Sequence, residues 1–247
     1  MSDDPAIFVG TMYSGEGDFS QCCEAISNQT GVIVSHAVIA DLPEKEAHNQ
    51  LWQAWRDNKD THDLFVKIDA DTVLRTPETL RQIYDQFAKN PRVTGFQAPL
   101  HDYMTDGHIN GLNAFSPKVI FNDTRDNLYC DRAVDTGHDI VLREKDLPIE
   151  LVPAGLHCHH ATEVQSFHYG VHRMLKGQTV TMDQVFNAWV KHRDRVRLFA
   201  LVGAHMAPRF SSNRRCNYED LEFQQAFDEA TSRYDELVKH YESLVQP

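Results

Sequence analysis

The sequence predicts an α/β fold with a mainly parallel central sheet, followed by a helical C-terminal extension. Three observations lead there. Short β-branched, apolar runs alternate with amphipathic stretches through the first hundred residues. The unusual polar residues sit just after those apolar runs, where ligands bind in open α/β sheets. From about residue 161 onward the apolar residues recur at helical spacing instead.

The elements follow in chain order. Residues 7–12 (IFVGTM) read as a strand opening into the Gly-containing loop YSGEGD. Asp18 or Ser20 is placed to cap a helix running to about Asn28, and Gly31 stops it. Residues 32–39 (VIVSHAVI) form a second strand, ending near Asp41. Pro43 stands at a helix start, with Leu51, Trp52 and Trp55 on one face as packing residues. Residues 64–68 (LFVKI) make a third strand, then Asp69-Ala70-Asp71. Thr76-Pro77-Glu78 opens a helix to about Asn90, and residues 92–98 make a fourth strand. Beyond it the spacing predicts a loop around Gly107, a strand at Gly111 to Phe115 and a brief helix from Ser116-Pro117. A helix over Asp139 to Lys145 and a strand over 149–153 follow. That strand ends in Ala154-Gly155 and the cluster His157-Cys158-His159-His160. The remainder reads as helices over VQSFHYGVHRMLKG, MDQVFNAWVKHRDRVRLFALVGAHM and YEDLEFQQAFDEATSRYDELVKHYESLV, with APRFSSNRRCN as a linker.

Composition narrows the function classes. Aromatic residues make up 10% and hydrophobic residues 41%, so the chain can bury a core and is not intrinsically disordered. No apolar run reaches the length of a membrane span. The first residues lack the basic and apolar regions of a secretory signal, and five cysteines are an odd number. The expectation is a cytoplasmic chain with reduced thiols. The net charge of −12 argues against a protein that coats nucleic acid. Charge is uneven: residues 172–215 carry nine Lys/Arg against two Asp/Glu, and residues 216–247 carry two against eight. The basic stretch either meets an anionic ligand or pairs with the acidic tail.

The strongest chemical signal is Asp69-x-Asp71 directly after LFVKI. Two carboxylates two residues apart past a strand can share a hard divalent cation, which in turn neutralises a diphosphate. The alternative is a pair of turn-capping acids. Asp139 lies at an expected helix start, where it would be held as the anion and could accept a hydroxyl proton. Asp131 and Asp135 are nearby substitutes. The histidine cluster offers imidazole ligands, while the spaced Cys/His pairs of a structural zinc site are absent. His168 and His172, four apart, share a helix face. His101, Asp102 and Tyr103 follow the fourth strand as possible pocket residues. The SGEGD loop lacks both a dinucleotide fingerprint and a P-loop lysine.

Over residues 7–160, IFVGTM, the second strand ending at Asp41, and KIDAD resemble, in order and spacing, nucleotide-sugar glycosyltransferases of the GT-A, Rossmann-like fold, GT2-like and with a D-x-D. The resemblance implies Mn²⁺ or Mg²⁺ as cofactor and a UDP-sugar as donor. It makes Asp71 the direct metal ligand, with Asp69 nearer the ribose and donor sugar. Thr11 and Tyr13 would wall the nucleotide pocket, and Asp41 would receive the uracil N–H. Gly137-His138-Asp139 is similar to the Gly-Glu-Asp of inverting members, with His138 in the usual Glu position, which makes Asp139 the general base. His157, then His159, matches a late-loop metal ligand.

The implied organisation is a catalytic core over 1–160, with a donor half to about residue 100 and an acceptor half over 101–160, and an extension over 161–247. The acceptor is a glycan, a lipid-linked glycan, a protein or modified DNA, and self-association would use the C-terminal helices. A nucleotidyltransferase is the alternative enzyme, but the first loop carries Glu16 and Asp18 and no base to grip a triphosphate. A non-catalytic sugar- or metal-binding module is the other.

Overall fold

The computed structural model describes residues 4–132, 135–136, 141–143, 153–212 and 214–245. The chain divides into two compact units. The first holds most of the chain up to His160, and the second holds Ala161 onward with the short segments Met104–Asp106 and Asp126–Tyr129.

The first unit is an α/β structure on one curled sheet. Its elements are β1 (Ala6–Tyr13), α1 (Phe19–Ser27), β2 (Ile33–Ala40), α2 (Glu44–Asn58), β3 (Leu64–Lys67), β4 (Thr72–Leu74), α3 (Thr79–Lys89), β5 (Gly95–Asp102) and β6 (Gly107–Phe115). After these come β7 (Ile120–Phe121), a 3-10 turn at Cys130–Arg132, β8 (Asp135–Thr136), β9 (Val141–Arg143) and β10 (Gly155–His157). The sheet order is β2-β1-β3-β6-β5-β10-β4, with β9 also on β5 and a separate β7-β8 pair. β1 pairs parallel with β2 and β3, and β5 pairs parallel with β9 and β10. β6 is antiparallel to both its neighbours, and β4 is antiparallel to β10.

Alternation along the strands builds two core layers. Ile7 and Val9 of β1 and Leu64 and Val66 of β3 face α1 and α3, joining Ile26, Leu80 and Ile83. Phe8 and Phe65 point the other way, onto Leu51, Trp52 and Trp55 of α2. Trp52 stacks on Phe121 with centroids 4.3 Å apart, and the Trp55 indole N–H donates to the Val119 carbonyl at 3.1 Å. α2 approaches β1 so closely that a Cβ on Gly10 would lie 2.2 Å from Leu51 Cδ1, which explains glycine in the middle of a strand.

Several expectations need correction. Within the expected helix over Asp139 to Lys145, the described residues Val141–Arg143 are a strand instead, paired parallel with Gly95–Gln97, the start of β5 that β10 leaves unpaired. Residues 137–140 and 144–152, including Asp139 and most of the expected 149–153 strand, lie outside the described residues. Gly107 begins β6 rather than forming a loop, and the chain turns instead at Asp106, which adopts a left-handed φ of 53°. Ser116-Pro117 starts no helix; the Val119 N–H closes a turn onto the Ser116 carbonyl at 3.0 Å. Strand β4, three residues long, is too short to stand out in the sequence.

The second unit is helical: α4 (Glu163–Leu175), α5 (Thr179–His192), α6 (Arg195–Met206), α7 (Leu221–Ser232) and α8 (Tyr234–Ser243). The expected single helix over 182–206 breaks at Arg193, which is left-handed with φ 55°, and Asp194 caps α6 by accepting from the Arg197 N–H. The tail is likewise two helices rather than one, and Ala207–Phe210 in the expected linker is a 3-10 turn. α4 is closed at its start by a capping box in which Thr162 and Gln165 exchange side-chain and backbone hydrogen bonds. The charge asymmetry resolves partly within this unit, where Arg209 pairs with Glu229 and Arg215 with Asp220.

Candidate metal and active site

The site grows from the register of β4, β5 and β10. β5 and β10 run parallel with His157 beside Asp102, and β4 runs antiparallel to β10 with Thr72 opposite His157. The second carboxylate of the D-x-D, immediately before β4, is thereby carried to a histidine far along the chain. His157 is held from below: its Nδ1–H donates to Asp102 Oδ1 at 2.7 Å, and Asp102 is fully buried. That bond sets the tautomer and turns Nε2 toward Asp71, whose Oδ1 lies 3.5 Å away.

Cys158 completes the group. Its thiol donates to Asp71 Oδ2 at 3.1 Å and its N–H donates to the Asp71 carbonyl at 2.9 Å. These bonds hold Cys158 in the left-handed region, at φ 56°, an uncommon conformation for a non-glycine residue that often marks a functional turn. Carboxylate, imidazole and thiol donors of Asp71, His157 and Cys158 all lie within 4.8 Å of one another. The set fits a divalent transition ion better than Mg²⁺, which prefers oxygen ligands.

The first carboxylate plays a different part. Asp69 is paired with the Lys67 ammonium of β3. Burial opposes its charge, and Lys67 overrides that, holding the carboxyl below its ordinary range. Lys67 is itself pushed down by burial and pulled up further by Asp69, Asp131 and Glu44, so it stays charged. The exposed Asp131 thus lies within electrostatic reach of the same ion pair.

The remaining predicted residues are placed as follows. Thr11 is fully buried, its hydroxyl 3.0 Å from His36 Nε2. Tyr13 stacks on Phe19 with centroids 4.0 Å apart. Asp41 follows β2 with a left-handed φ of 57°, its N–H donating to the Tyr13 carbonyl at 3.1 Å. The His159 ring meets Tyr103 and His160 edge-on, outside the Asp71 group. Asp18 stands at the start of α1 but makes no side-chain cap. Its buried carboxylate instead accepts from the His160 N–H at 2.9 Å and from His160 Nδ1 at 2.7 Å.

Two contributors escaped the sequence reading. Cys158 was visible only as one of a cluster, and nothing local shows that its thiol faces Asp71. Glu16 of the SGEGD loop is pushed up to about 7, first by burial and then by the charges of Asp71 and Asp69, against the pull of the Ser14 and Glu16 N–H groups. A third acid therefore stands near the D-x-D. A separate cavity of about 290 Å³ runs between α3 and β5, lined by Arg75, Gln82, Phe96 and Pro153 among others, and includes none of these site residues.

No protein-family model and no curated protein matches the sequence. Among solved structures, one likeness is to a mannosyltransferase from Pyrobaculum calidifontis in complex with GDP-Man and Mn²⁺. It has 13% identity and a TM-score of 0.37, and covers 97% of this chain and 83% of that one. Another is to a glycosyltransferase involved in glycosylation of the major capsid of PBCV-1. It has 13% identity and a TM-score of 0.31, and covers 45% of this chain and 60% of that one. Among the described residues no helix is long and apolar enough to cross a membrane.

Proposed function

We propose that the chain is a metal-dependent glycosyltransferase that moves a sugar from a nucleotide-sugar, a UDP-sugar by preference, to a hydroxyl acceptor with inversion. The observation that carries this reading is the meeting of Asp71, from the D-x-D after β3, with His157 and Cys158 on and after β10. A group assembled from two distant segments, with its histidine fixed by a buried acid, is built to hold an ion rather than to cap a turn.

In this reading Asp71 and His157 hold the cation, and Asp102 orients the imidazole. A bound Mn²⁺ would neutralise the diphosphate as it leaves. Lys67 keeps Asp69 ionised and fixed beside the ribose and donor sugar. Tyr13 and Asp41, at the ends of β1 and β2, border the nucleotide, with Asp41 accepting the uracil N–H. Asp139 takes the proton of the acceptor hydroxyl as its oxygen bonds to the anomeric carbon and the bond to the diphosphate breaks.

The test is calorimetric titration of UDP with and without Mn²⁺. The wild type is expected to bind UDP more tightly with the metal, and Asp71→Asn to lose that increment, since it removes a charged ligand at constant volume. Identical titrations for the two proteins would overturn the assignment. Asp139→Asn is expected to leave UDP binding intact and slow transfer by roughly 10²–10⁴-fold. Full activity in that variant would move the base to Asp131 or Asp135, and a retained anomeric configuration in the product, read by NMR, would exclude direct inversion.

A further inference from the structure

A second donor set lies in the first unit, apart from the Asp71 group. Glu44 opens α2, and His48 stands one turn later at i+4, so both side chains serve the same helix face. Cys130 arrives from the 3-10 turn Cys130–Arg132. A carboxylate oxygen, an imidazole nitrogen and a thiol sulfur from these residues all lie within 4.8 Å of one another. Cys130 is fully buried and His48 is 2% exposed.

His48 provides the independent sign. Its Nδ1 bonds the Glu44 carbonyl at 2.8 Å, which leaves Nε2 as the lone-pair face of the ring. That buried Nε2 has no hydrogen-bond partner among the described residues. Leaving such a buried atom unmet forfeits the hydrogen bonds it makes in water, so a bare Nε2 beside a thiol and a carboxylate calls for a ligand. The helix dipole accounts for an acid at Glu44, in the first turn of α2, and burial for a thiol at Cys130, but neither accounts for this nitrogen. Burial, then the Lys67 charge, pushes the ring down to about 4, so it is neutral and able to coordinate at neutral pH. Three charges act on this ring, the cationic Lys67 most strongly and Asp131 and Asp69 with the opposite sign.

We propose that Glu44, His48 and Cys130 form a transition-metal site of the zinc class, tying the first turn of α2 to the turn at Cys130–Arg132. Thiolate and imidazole ligands select a borderline-soft ion over Mg²⁺, and three protein ligands leave the fourth tetrahedral position to water. On coordination the Cys130 thiol gives its proton to solvent and binds as thiolate. The ion fixes the turn that carries Asp131 next to the Lys67–Asp69 pair.

The test is Co²⁺ titration of the full chain after chelator stripping, read by the near-ultraviolet thiolate-to-cobalt band and the visible bands of tetrahedral cobalt. The background is Cys158→Ser, which removes the thiol of the Asp71 group. The band is expected to saturate at about one Co²⁺ per chain on this background, and to vanish when Cys130→Ser or His48→Gln is added. Zn²⁺ is also expected to raise the thermal midpoint of the stripped Cys158→Ser chain, and to raise it less once His48→Gln is added. A band absent from the Cys158→Ser chain, a band that survives loss of Cys130, or a midpoint unmoved by Zn²⁺ would each overturn the site. UDP is absent from every arm, so failure here is separable from failure of the glycosyltransferase reading.

Discussion

His157 is steered by a residue outside the proposed metal-ligand set. Asp102 lies under the imidazole, fully buried, and decides which nitrogen carries the proton. Asp102→Asn should therefore lower Mn²⁺ affinity by about 10–100-fold, the usual effect of losing such a partner, while circular dichroism stays unchanged. Equal affinity would reduce Asp102 to a packing acid. Glu16 makes a second prediction at this scale. Its folded pKa is raised above the ordinary value of 4.5, to about 7. Between those two pH values the native state holds a proton that the unfolded chain has released. Stability of the metal-free protein therefore falls as pH rises through this window. Urea melts at pH 5 and pH 8 should show that fall in the wild type and a smaller one in Glu16→Gln. Equal pH dependence in both would remove Glu16 from the carboxylate cluster.

Elements are placed here by close approach as much as by pattern. In the second unit α4 and α6 cross at two glycines. A Cβ on Gly203 would come within 2.0 Å of the Phe167 carbonyl oxygen, and one on Gly170 within 1.8 Å of the Ala200 carbonyl oxygen. Backbone cannot yield as a flexible side chain would. Gly203→Ala, favourable to an isolated helix, should instead destabilise the protein by about 1–3 kcal/mol or more, as overpacking does. An unchanged thermal midpoint would show that the helices cross elsewhere. In the first unit β4 does comparable work with three residues: its pairing with β10 carries Asp71 to His157.

For the whole molecule, charge sets what it avoids. The net charge of −12 opposes a polyanion, and part of the basic 172–215 stretch is engaged internally through Arg209–Glu229 and Arg215–Asp220. Unmodified duplex DNA should not be shifted by the protein in gel electrophoresis at roughly 0.1 M salt. A salt-sensitive shift would restore DNA among the acceptors.

Sequence alone determined the parts that depend on local pattern. Short continuous apolar runs in IFVGTM and LFVKI specified β1 and β3, and the Leu51-Trp52-Trp55 stripe specified the buried face of α2. The D-x-D was legible because it follows an apolar run, and the histidine cluster because of its density. Tertiary structure decided what local pattern cannot encode. Val141–Arg143 became a strand because β10 covers only the end of β5 and leaves its start unpaired, although its spacing read as a helix start. Asp18, at the natural cap position of α1, was drawn instead to His160 across the fold. Cys158 meets Asp71 from 87 residues away, and His157 meets Asp102 from 55. Such pairings follow from strand register, and register is settled by how the whole sheet buries its apolar faces, not by any run of residues within it.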